Sequence, residues 1–131
     1  MARQPATRAG ALRELVRFEA KVPATDGWGQ EIPGSGEWTE QFAPVNANLR
    51  PLRGSEAVIA ARLQGEQPYI MTIRQHAAAA AITTAWRAVD MRAGSNAEGK
   101  PNRVFAIKAP PVDPDGKNAW LEILVSENAE S

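Results

Sequence analysis

With 131 residues, no cysteine, fifteen basic and fifteen acidic side chains and a formal net charge of zero, the chain has room for one core and no means of stapling it with disulfides or thiolate-bound zinc. The balanced charge excludes a global electrostatic hold on nucleic acid or an anionic membrane, so any such contact is local. No window approaches the ~20 apolar residues that span a bilayer, and the opening "MARQPATRAGAL" has no apolar run of signal-peptide length. A soluble, non-secreted protein without membrane contact is expected.

That opening predicts a mobile arm over residues 1–11 on a single domain spanning 1–131, with a short acidic tail at 128–131. Arg3 and Arg8 make the arm sparsely basic, suited to DNA phosphate or an acidic neighbour, or simply to solvent. From Leu15, Val16, Phe18, Ala20 and Val22 alternate with Arg17, Glu19 and Lys21, the period of a half-buried strand. "PATDGWGQEIPGSGEW" then interrupts any ladder with four glycines and two prolines, predicting a protruding hairpin loop over residues 25–37. Trp28 sits on that loop and reads as an interface anchor, whereas Trp38, Trp86 and Trp120 fall on strand-like segments and read as packing residues.

"WTEQFAPVNANLRPL" resumes extended character, with a bulge or an edge expected at Pro44, which has no N–H to donate. "RGSEAVIAARLQG" carries helix punctuation: Ser55 as N-cap, Glu56 in the positive first turn, Gly65 as the stop. About ten residues lie between, roughly 15 Å of helix, too short to persist alone in water. Val58, Ile59 and Leu63 spread over a broad arc that includes Arg62, while Ala57, Ala60 and Ala61 gather with Gln64 on a second, small-residue face. Two readings stand. In one the helix is a lid over a barrel opening; in the other one face packs on its own barrel and the alanine face admits a neighbouring subunit.

"PYIMTIRQ" is a strand apolar on both faces, as when covered on two sides. The run Ala77 to Ala81 favours helix and the residues after it favour strand, so a strand is expected at 83–91 with the alanines undecided. "RAGSNAEGKPN" is a polar turn region. "RVFAIKA" and "AWLEILVSE" are strands joined by "PPVDPDGKN", in which Asp113 and Asp115 read as turn residues. The sum is mainly β: a small antiparallel β-barrel of about six strands with one short inserted helix and long loops, without internal repeat.

Catalytic chemistry is missing from this inventory. His76 is the single histidine and has no ligand or nucleophile at a useful spacing. "GWGQEIPGSG" lacks the Lys-Ser/Thr ending of a phosphate loop. Neither enzyme, metal nor cofactor is expected. A β-barrel nucleic-acid module is the alternative, recognised by Arg and Lys clustered near two aromatics; around Trp86 and Trp120 the charges in sequence are mixed.

Taken in order, the early strand, "DGWG", "EWTE", "VNANLRPLRGSEAVIAARLQ", "PYIMTIR" and "RVFAIKAPPVDPDGKNAWLEILVSE" resemble the phage head-tail joining proteins. These are the head-tail adaptors, head closure proteins or stoppers of long-tailed phages and gene transfer agents. The resemblance covers residues 12–127, and departs from the family at the polyalanine run and the lengthened turn "GSNAEGKPN". It implies a ring of about six or twelve copies in the virion neck, assembled in the bacterial cytoplasm. A portal or adaptor ring would lie above and a tail terminator or tail tube below, with packaged double-stranded DNA passing through the lumen. The helix face of Ala57, Ala60, Ala61 and Gln64, the arm residues Arg3 and Arg8, and Trp28 are then the candidate contacts. Another neck ring, such as a tail terminator, would carry more helix.

Overall fold

The computed structural model describes residues 12–32, 36–52, 55–114, 116–117 and 119–128, with only the backbone of Ala57 and Asn128. Arg3, Arg8, Asp115 and the tail beyond Asn128 lie outside the described residues. Seven strands form one sheet: β1 (Glu14–Val22), β2 (Glu37–Glu40), β3 (Val45–Pro51), β4 (Glu66–Arg74), β5 (Arg87–Asp90), β6 (Val104–Ile107) and β7 (Trp120–Asn128). Helix α1 (Glu56–Leu63) lies between β3 and β4.

The pairing order β2-β1-β3-β4-β7-β6-β5 returns on itself through a further β1–β5 pairing, so six strands close a barrel. Register explains the seventh. At Val16, β1 faces Val45 of β3 on one edge and Asp90 of β5 on the other; at Glu19 it faces Glu40 of β2 and Arg87 of β5. β2 and β3 therefore share one edge of β1, and β2 with the far half of β1 extends beyond the barrel as a two-stranded ribbon. The expected extended run from Trp38 onward breaks into these two strands at residues 41–44, before Pro44, where a ladder donor is missing.

All the barrel pairings are antiparallel, so the alternation read from sequence points one set of side chains inward. Phe18, Ala88 and Phe105 sit opposite one another across β1, β5 and β6, and with Met71, Ile73, Ile123 and Val125 they are fully buried. Burying each such large apolar side chain contributes about 1.5–3 kcal/mol.

One segment differs from expectation, and another, open in the sequence, takes a definite form. The strand at 83–91 is confined to Arg87–Asp90, because Thr83 turns the chain: its carbonyl accepts from Trp86 N at 3.1 Å and its hydroxyl from Ala85 N at 3.2 Å. The alanines form a 3-10 helix, Ala77–Ala81, with Ala79 buried in the core; five small side chains permit that close approach.

Antiparallel order also sorts the connections between two ends. Both the described chain ends, α1 and the β5–β6 loop leave the end where β1 begins. The β1–β2 loop, residues 41–44, the alanine turn and the β6–β7 loop leave the opposite end. Phe42 fills that second mouth, its ring centroid 5.5 Å from Phe18, 4.7 Å from His76 and 6.4 Å from Trp86. The first mouth is closed by charge, with Arg103 pairing to Asp90 Oδ2 at 3.2 Å and to Glu127 Oε1 at 3.1 Å.

Gly36 opens β2 at φ 94°, tight against the β1–β2 corner. A Cβ there would overlap the Val22 carbonyl oxygen, which is backbone and cannot swing away. Gly36→Ala should cost about 1–2 kcal/mol. Amide exchange is expected to quicken along Ala20–Val22 and β2 while the Phe18 and Phe105 amides stay protected; uniform loss of protection would show that the ribbon is part of the cooperative core.

Candidate assembly surface

The barrel interior is occupied by side chains, which moves the search for function to the surface. Among the described residues no group of three or more His, Cys, Asp or Glu could hold a metal ion, and no helix is long and apolar enough to cross a membrane. His76, the one histidine, packs its ring edge-on against Phe42 and sets Nδ1 3.2 Å from the Arg74 carbonyl oxygen, a packing role at the end of β4.

At the tip of the β1–β2 loop, Trp28 is 91% exposed. It does not dangle. Asp26 Oδ1 accepts from Trp28 N at 2.8 Å and from Gln30 N at 3.0 Å, Asp26 N donates to Gln30 O at 2.8 Å, and Gly29 N donates to Asp26 O at 3.1 Å. Thr25 and Glu31 bridge beneath. A backbone turn thus fixed needs little ordering to bind, so the loop that carries the indole adds little entropic cost to a contact.

The same turn occurs again. Asn96 Oδ1 accepts from Glu98 N at 3.0 Å and from Lys100 N at 2.9 Å, Asn96 N donates to Lys100 O at 2.8 Å, Gly99 N donates to Asn96 O at 3.0 Å, and Ser95 bridges Pro101. Gly29 and Gly99 hold the matching positive φ, 80° and 82°. The sequence signal is an Asx followed three residues on by Gly, too short to read as a repeat. The lengthened turn "GSNAEGKPN" is therefore ordered by its own hydrogen bonds.

Between the ribbon and this second turn lies a groove lined by Lys21, Trp38, Arg87 and Lys100. Arg87 sets its guanidinium 4.5 Å from the Trp38 ring centre, and Lys21 Nζ lies 5.9 Å away. Behind it Glu19, outward by alternation yet 5% exposed, pairs with Arg87 Nε at 2.7 Å and Arg17 Nε at 2.8 Å. Sequence reasoning looked for basic residues beside Trp86 and Trp120 and missed this cluster, because its members come from β1, β2, β5 and the β5–β6 loop.

In α1 the punctuation holds: Ser55 Oγ accepts from Val58 N at 3.1 Å, and Gly65 takes φ 86°. The helix packs on β4. Val58 and Ala61 are half-buried, Ala60 and Gln64 are exposed, and the Ala57 side chain is outside the description. Ile59 and Leu63 are also exposed, by 48% and 84%, and with Arg62 they line a depression of about 260 Å³. The outer face is thus apolar as well as small. The i, i+4 spacing of Ile59 and Leu63 was the available signal, but periodicity alone does not say which face meets the barrel.

Trp28 and α1 therefore stand at opposite ends of the barrel. Arg3 and Arg8 fall outside the described residues. The model of one family, the phage head completion protein, matches residues 7–128.

This chain belongs to the phage head completion protein family.

No curated protein sequence matches it. A chain in a solved structure titled "Virion of native gene transfer agent (GTA) particle" shares the fold, with a TM-score of 0.57 and 20% sequence identity over 92% of this chain and 97% of that one. In this head completion protein the two most exposed large apolar side chains among the described residues, Trp28 and Leu63, stand on a loop tip and a helix.

Proposed function

We propose that the chain is a non-enzymatic structural part of a virion neck, forming a ring that completes the head after packaging and offers the tail its docking surface. The observation that carries this reading is Trp28, a 91% exposed indole at the tip of a projecting loop whose backbone is held by hydrogen bonds. Solvating so large an apolar surface is a cost that a partner relieves. Family membership and the likeness to a virion chain support the setting. In that setting the ring has six or twelve copies, lies between a portal or adaptor ring and a tail terminator or tail tube, and lets double-stranded DNA through its lumen. Assembly takes place in the bacterial cytoplasm.

Negative-stain microscopy of portal complexes mixed with the protein should reveal an added ring below the portal. Unchanged portal particles at saturating protein would refute the reading. The whole chain acts as one domain in this picture, with residues 1–11, including Arg3 and Arg8, as a docking arm. Deleting them should leave the thermal transition in place while weakening portal binding; a collapsed transition would assign the arm to the core.

The cluster of Lys21, Arg87 and Lys100 around Trp38 favours a second reading, a nucleic-acid module. It is the weaker one, because Arg87 already stacks on Trp38 and is held there by its ion pair with Glu19, covering that indole face against a base. Tight, salt-sensitive binding of single-stranded DNA without ring formation would reverse the order.

A further inference from the structure

We infer that the Trp28 turn of one copy seats on the Ile59, Arg62 and Leu63 face of α1 in the next copy, a head-to-tail contact between two different patches of the same chain. The inference rests on the ring reading and names its joint.

Three observations bring these patches together. The first is that each is unsatisfied alone. Trp28 and Leu63 are the two most exposed large apolar residues among those described, at 91% and 84%. The depression between Ile59, Arg62 and Leu63, about 260 Å³, is on the scale of one large side chain. The second is charge. Residues 23–32 carry Asp26 and Glu31 and no basic residue, whereas the C-terminal turn of α1 carries Arg62 and no acid. An indole over a guanidinium adds a cation–π attraction, and the end of the loop bearing acid meets the arginine instead of another acid.

The third is placement. The β1–β2 loop leaves the barrel where β1 ends, and α1 joins the end of β3 to the start of β4, where β1 begins. One chain therefore cannot satisfy its own helix with its own tryptophan. A contact between unlike patches at opposite ends is heterologous, and repetition of such a contact gives a closed ring when the rotation closes. Turn and helix are both fixed by their own hydrogen bonds, so neither needs refolding to dock.

The absence of cysteine makes the test direct. Gly27 has open space around the position of a Cβ, and Ala60 is exposed beside Ile59, so Gly27→Cys and Ala60→Cys leave Trp28 and Leu63 intact. A short bismaleimide should link the two variants when they are mixed and link neither alone. The double variant should give a ladder ending at the ring size. Adding Trp28→Ala to the Gly27→Cys chain should cut the yield by about tenfold or more. Efficient linking of Gly27→Cys to itself would overturn the proposal in favour of a symmetric tip-to-tip contact. A ring seen on portal complexes without any mixed cross-link would overturn the joint while leaving the ring reading standing. Loss of the ring itself would remove both.

Discussion

Replacing Arg103 with leucine should lower the free energy of unfolding by about 3–5 kcal/mol, because it strands a buried carboxylate. Arg103 closes the barrel mouth from the start of β6. Its guanidinium meets Asp90 Oδ2 at 3.2 Å, Glu127 Oε1 at 3.1 Å and the Tyr69 hydroxyl at 3.2 Å, and lies 4.9 Å from the Phe105 ring centre and 5.6 Å from that of Tyr69. Burial alone would lower its pKa, but the hydrogen bond and charge of Glu127, followed by Tyr69 and Asp90, hold it above the ordinary arginine value. The positive charge is thus fixed, and together with Arg92 N, which donates to Asp90 Oδ1 at 2.9 Å, it makes a 4% exposed Asp90 tolerable. Leucine keeps part of the stem's packing and removes the guanidinium, with its bonds to Asp90, Glu127 and Tyr69. Urea unfolding reads the loss, and adding Asp90→Asn should recover part of it. A loss under about 1 kcal/mol would mean that the cluster behaves as an exposed ion pair, with water reaching the mouth.

Trp28→Ala should do the opposite: leave the monomer's unfolding within about 0.5 kcal/mol and weaken assembly by about 2 kcal/mol or more, roughly 30-fold in the dissociation constant. The asymmetry follows from where the residue's free energy lies. An indole that is 91% exposed contributes almost nothing to the fold, while a tryptophan at the tip of a hydrogen-bonded turn is the kind of residue on which interfaces concentrate their affinity. Chemical denaturation and sedimentation of the same preparation separate the two effects. Equal loss in both would make Trp28 a folding residue, and no loss in assembly would remove it from the interface.

Together these variants separate two populations of charged and aromatic residues that composition cannot tell apart. Arg103, Glu19 and Asp90 are charged yet work inside or against the barrel, and Trp28, Ile59 and Leu63 are apolar yet face outward. The strand alternation, the Ser55 cap and the Asp113 turn, whose carboxylate accepts from Gly116 N at 3.0 Å, were all legible because each depends on residues within a few positions. The polyalanine run was not, since alanine suits several backbone states and only the space beneath Ala79 selects one. Glu19 misled by parity: its place in the alternation is outward, but two arginines close over it.

The sequence by itself determined much of the local grammar: which segments are extended, where most of them turn, and where a helix can start and stop. It also carried the family resemblance, because spacing and order along a chain are properties of the chain. Only the tertiary structure decided that β5 closes on β1, that the mouth is sealed by Arg103, and that α1 turns Ile59 and Leu63 away from the barrel. The Arg87–Glu19 contact bridges 68 residues, and nothing local to either side chain encodes the register that joins them. Local preferences are set by sterics and hydrogen bonding within a turn of chain. Which face is left over for a partner is settled only after every strand has found its neighbour.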